Sequence, residues 1–140
     1  ETGLGASSTA WKAIKSDGSL VEPGIAGTLK YDWVSGKIQL TSGTVTSTVN
    51  EYHGTPYNGI DLAAGLTPPE IAKTLLFYPD EPDGDYAGDY HWMNPTGERL
   101  PLCGGGWSDG AGAGVFSVHL GNPRSSAGSY VGFRSAYVDL

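Results

Sequence analysis

Residues 104–134 read GGGWSDGAGAGVFSVHLGNPRSSAGSYVGFR, and the spacing inside this stretch decides how the rest of the chain is read. Trp107, Phe116, Val118, Leu120, Val131 and Phe133 are apolar anchors, and the glycines let the backbone turn or pass close to neighbouring groups. Phe116, Val118 and Leu120 alternate with Ser117, His119 and Gly121, the two-residue period of a strand with one buried and one open face. That period sends the first trio inward and the second outward. The residues set between the anchors are Ser108, Asp109, Ala111, Ser117, His119, Gly121, Ser126, Gly128, Ser129 and Tyr130. Ser and Gly give adaptable hydrogen bonding and close approach, and Tyr gives a large amphipathic contact with few torsions to immobilise, so the palette is that of a contact surface. A Gly/Ser-rich linker has a similar composition, but it has no reason to carry regularly placed apolar anchors.

Upstream of this stretch, a polar run from Asp80 to Asp89 leads through Tyr90-His91-Trp92-Met93-Asn94-Pro95. Before it, one helix is expected over Pro68 to Tyr78. Thr67 and Glu70 form a Thr-x-x-Glu capping box, Pro68 suits the first turn, Pro79 bars continuation, and Ile71, Leu75 and Tyr78 share a face. The first half reads as antiparallel meander: Trp11 to Lys15, Thr28 to Val34 and Lys37 to Leu40 joined around Ser35-Gly36, then the β-branched run Thr44 to Val49. Asp17-Gly18 and Pro23-Gly24 mark turns. Glu1-Thr2-Gly3 reads as a leftover of processing or expression and is given no functional weight.

The chain has 140 residues, the size of one domain with one core. With 22 glycines, only 16% charged residues and aromatics dominated by Tyr and Trp, the class expected is an irregular, loop-rich α+β or β domain. A net charge of −7 makes a polyanion a poor partner, because affinity for nucleic acid comes mainly from Lys and Arg neutralising phosphates. No apolar run approaches a membrane span and no signal segment opens the chain, so membrane insertion is not expected. The single Cys103 cannot form an internal disulfide and, beside Leu102, reads as a buried small residue.

Gly106-Trp107-Ser108-Asp109-Gly110 matches the G-x-S-x-G elbow of serine hydrolases only formally. The helix, acid and histidine that such an elbow requires have no room in the Gly/Ser-rich remainder, where His119 is the one histidine. Asp80, Glu81, Asp83, Asp85 and Asp89 supply enough carboxylates for a calcium loop, but not at EF-hand spacing, and a solvated acidic loop is the default. Calcium is therefore the one cofactor the sequence leaves in play. His53, His91 and His119 have no zinc-ligand spacing, and the glycines near 104 and 110 precede neither a Lys-Ser/Thr pair nor a recognisable helix, so nucleotide binding is set aside.

The stretch Arg99-Leu-Pro-Leu102, then GGGW, DGAGAGVF, Asn122-Pro-Arg-Ser125 and Val131-Gly-Phe-Arg-Ser-Ala136 resembles the C-terminal region of the variable proteins of diversity-generating retroelements. The resemblance implies a single C-type lectin-like domain over 1–140, α+β, with antiparallel strands, one or two short helices and a long irregular C-terminal segment. It implies that 104–134 is rewritten by adenine-directed mutagenesis to display a hypervariable ligand-binding surface, as on phage receptor-binding tips or bacterial surface adhesins. The positions resembling varied sites are Gly106, Ser108, Asp109, Ala111, Ser117, His119, Gly121, Ser126, Gly128, Ser129 and Tyr130. Gly105, Trp107, Gly110, Gly114, Phe116, Arg124, Gly132, Phe133 and Arg134 resemble the fixed skeleton. Codons rewritten in that family exclude Lys, Glu, Gln, Met and Trp, a limit every varied position here obeys. The implied partner is a protein or glycan on a bacterial surface. The implied location is a virion tail or a secreted or cell-surface setting, with several copies, as in a homo-oligomer, raising weak single-site affinity. Tyr130 is the expected anchor, with Trp92 or Tyr90 as neighbours. The same fold hosts formylglycine-generating enzymes, whose paired active-site cysteines this chain lacks, so no enzyme activity is expected. A non-variable lectin-like or structural virion protein is the alternative, and the N-terminal half also reads as a separate attachment segment.

Overall fold

The computed structural model describes residues 2–3, 11–123, 125–129 and 131–132. Their architecture is mostly β: three small sheets of mixed strand direction and one short helix. The first sheet is antiparallel and holds Thr2–Gly3 (β1), Trp11–Ile14 (β2) and Leu20–Val21 (β3) in that order. Thr2 and Gly3 pair with Lys12 and Trp11.

The second sheet grows from a hairpin of Lys30–Val34 (β4) and Lys37–Thr41 (β5). Its turn is the expected Ser35-Gly36 pair, with φ of 52° and 82°. Two successive left-handed residues give the turn whose twist matches that of the flanking strands. Ile38 and Leu40, 0% and 1% exposed, mark the inward face of β5. A later strand, Asp61–Leu62 (β7), adds to β5 in parallel.

His53–Pro56 (β6), Tyr90–Met93 (β8), Leu102–Cys103 (β9) and Val118–Leu120 (β10) form the third sheet, in the order β6-β8-β10-β9. Its central pair, β8 with β10, is parallel, so the arrangement is not the simple antiparallel one expected. The second and third sheets share the core. Ile38, Leu40, Tyr57, Ile60, Tyr78, Met93, Val118 and Leu120 are buried together, and rings of β4 reach across to the third sheet. Tyr31 lies 4.6 Å from His91, and Trp33 stacks on His53 at 4.0 Å.

Two expected elements differ. The helix (α1) spans only Glu70–Thr74 and has no side-chain cap. Pro69 bars a helical conformation at Pro68, because the residue before a proline is pushed to extended backbone, and Pro69 itself is extended (ψ 154°). The capping box of Thr67 is thus out of register. At the other end Leu76 adopts φ 60°, with Leu76 N–H donating to Lys73 O and Phe77 N–H to Ala72 O. This paired closure ends a helix well before Pro79 is reached. The run Thr44 to Val49 forms no strand. The N–H groups of Thr46 and Ser47 donate to the buried Asp32 carboxylate at 2.8 and 2.9 Å, and the Thr46 hydroxyl adds a bond of 2.7 Å. Asp32 takes the donors that a ladder would need.

Candidate functional site

In β8, His91 and Met93 are 0% and 1% exposed, so the period of two sends Tyr90 and Trp92 to the opposite, outer face. Register places His119 of β10 on one side of Trp92 and Gly54 of β6 on the other. The result is a row of four rings. Tyr90 and Trp92 have centroids 5.4 Å apart, Trp92 and His119 5.7 Å, and His119 and Tyr52 5.7 Å. Successive planes are tilted by 36°, 33° and 50°. Tyr52 closes the row and is 60% exposed.

His119 joins the C-terminal segment to this row. Its Nδ1 accepts the Gly121 N–H at 3.2 Å and faces Asn122 Nδ2 at 3.2 Å. Donors on Nδ1 leave the proton of the neutral ring on Nε2. Burial lowers the pKa of the imidazole and the Asp109 carboxylate raises it, with burial the larger influence. The ring is therefore neutral at pH 7.

Asp109 and Ala111 are exposed on the loop between β9 and β10. Asp109 Oδ2 accepts the Gly106 N–H at 2.5 Å, and a 3₁₀ turn, Gly110–Gly112, follows. Gly112 rests against the row: a Cβ there would stand 3.3 Å from the Trp92 ring and 3.4 Å from Tyr90. The loop is anchored from below by Asp89, 4% exposed, which accepts the Phe116 N–H at 2.8 Å. Any side chain at Gly114 would collide with that carboxylate, a physical reason for glycine at this skeleton position. Phe116 packs inward against Tyr57 and Tyr86 as expected.

Three readings of the segment are corrected. Ser117 is 0% exposed. Its hydroxyl donates to Gly112 O, its N–H donates to Gly114 O, and its carbonyl accepts the Gly104 N–H, so the loop roofs it over. Gly121 is buried under Tyr52, whose ring a side chain there would strike. Trp107, read as an inward anchor, is 93% exposed. Ser108, Gly128 and Ser129 are exposed, and Gly106 and Ser126 are half-buried. Ser126 Oγ lies 3.4 Å from Asn122 Oδ1, which ties it to the His119 side of the face. Tyr130, Arg124, Phe133 and Arg134 lie outside the described residues. The contribution of Tyr52 was missed, since a lone tyrosine in a polar run carries no periodic signal.

Among the described residues no three His, Cys, Asp or Glu side chains converge as a metal site. Asp80, Glu81, Asp83 and Asp85 are exposed while Asp89 is buried in its structural role, so the calcium loop has no assembled donor set. Cys103 is exposed rather than buried, at the end of a two-residue strand. Ser108 is followed by the 3₁₀ turn, not by the helix of a nucleophile elbow. No helix among the described residues is long and apolar enough to cross a membrane. No family model and no curated protein matches the chain.

Proposed function

We propose that this chain is a ligand-recognition domain of the retroelement-variable kind, with a C-type lectin-like fold, acting as a phage receptor-binding or surface-displayed adhesin protein. The observation that carries the reading is the placement of His119 among Tyr90, Trp92 and Tyr52 on the outer face of a sheet whose inner face is core. Asp109, Ala111 and Ser108 can change without touching that core, while Val118 and Leu120 hold the strand in place. Burial of Ser117 and Gly121 favours the second reading, a binding domain of fixed sequence, because substitutions at these two positions would disturb the loop and Tyr52.

A combinatorial library over Ser108, Asp109, Ala111 and His119 tests the proposal. Most members are expected to fold with stability changes within about 0.5 kcal/mol per exposed site, and adsorption to bacterial cells is expected to change with the substitutions. Adsorption that is indifferent to all four positions would overturn it. In the encoding DNA, a nearby near-copy of the 104–134 stretch, differing where it carries adenine, separates a diversified surface from a fixed one.

A further inference from the structure

We infer that the row Tyr90, Trp92, His119 and Tyr52 is a stacking platform for an uncharged oligosaccharide, bound without a metal ion; this rests on the reading of that face as the recognition surface. Each ring offers an apolar surface and one polar group at its rim: the hydroxyls of Tyr52 and Tyr90, the indole N–H of Trp92 and the Nε2–H of His119. Among the described residues these groups have no hydrogen-bond partner. A pyranose is built the same way, with C–H faces that stack on rings and hydroxyl edges that bond to polar atoms, and amphipathic aromatic side chains suit such a ligand.

The alternatives fit less well. A docking helix or an apolar peptide needs an aliphatic groove, and among the paired strand residues this face carries, beside the rings and the nearby Gly112, only Gly54, Pro56 and a single branched aliphatic chain, Leu102 opposite His119. Anionic sugars and phosphates meet the exposed Asp109 carboxylate, whose charge is felt at His119, on a chain with net charge −7, which repels them. Ring centroids repeating at 5.4 to 5.7 Å along the row give successive contacts to successive sugar units. A linear chain is thereby preferred to a single monosaccharide.

The experiment titrates the protein with cellohexaose, mannohexaose, xylohexaose and chitohexaose in the presence of EDTA, read by tryptophan emission and calorimetry. At least one is expected to bind, with the emission change absent in Trp92→Phe, which keeps a ring in place. Tyr52→Ala is expected to weaken binding about fivefold, and Leu20→Ala, in β3, to leave it unchanged. Failure of every oligosaccharide to bind, or binding that EDTA abolishes, overturns the inference. If adsorption to bacterial cells is then lost on Tyr52→Ala and on protease treatment of the cells, the partner is a protein and the recognition face stands. If adsorption ignores Tyr52→Ala altogether, the face itself is wrong.

Discussion

Trp107 separates residue type from residue position. A tryptophan after three glycines reads as an anchor because burial of its large ring is usually favourable, yet here the ring is 93% exposed. Gly104 and Gly105, with φ of 97° and 71°, turn the backbone just before it, and no spacing rule in the sequence reveals which way such a turn throws the next side chain. Trp107→Ala is therefore expected to change the unfolding free energy by less than about 0.5 kcal/mol and to remove the most acrylamide-accessible component of the tryptophan emission. A loss of about 3 kcal/mol or more, the cost of truncating a packed aromatic, would return Trp107 to the core. Ser117 is the opposite case. Its parity within the Phe116-to-Leu120 alternation was legible, but its roof, Gly112, comes from a loop closure that alternation does not encode.

At the scale of elements, what the sequence showed was whatever local chemistry determines. The Ser35-Gly36 turn, the two strands it joins and the inward set Phe116, Val118 and Leu120 all follow from neighbours a few residues apart. Thr44 to Val49 did not, because its fate depends on Asp32, which is 14 residues from Thr46 in the chain. Burial works to raise the pKa of Asp32, but the hydrogen bonds from Thr46, Ser47 and Trp33 outweigh it and hold the carboxyl below its usual value. Asp32→Asn keeps the shape and replaces one acceptor oxygen by a donor, leaving buried N–H groups facing an N–H₂. A loss of roughly 2 to 3 kcal/mol is expected, read as a lower urea midpoint at pH 7 with unchanged m-value. A midpoint within error of the parent would mean that the 44–49 segment is held by something other than this carboxylate. The candidate face divides along the same line: Tyr90, Trp92 and His119 were visible in motifs, whereas their assembly with Tyr52 required the register of β6 on β8.

For the whole molecule, the third sheet meets the second through an uncharged but polar seam. His91 is fully buried, faces Tyr31, and neither ring nitrogen has a hydrogen-bond partner among the described residues. Burial, the largest cause, and the neighbouring His119 push its pKa down to about 3. The unfolded chain takes up this proton near pH 6.5, while the folded one resists until about pH 3. Between those values the unfolded state binds more protons, so stability is at its fullest above pH 6.5 and falls as the pH drops towards 3. The slope for one such group is about 1.4 kcal/mol per pH unit, enough over two units to consume a large part of the stability of a small domain. His91→Leu removes the titrating group and the unpaired nitrogens together. Its unfolding free energy is expected to be nearly flat between pH 6.5 and 4, apart from the smaller slope that His119, lowered in the same sense, still contributes. Chemical denaturation of parent and variant at stepped pH measures the difference directly, and parallel curves would show that the seam between the sheets opens to water and lets His91 protonate in place.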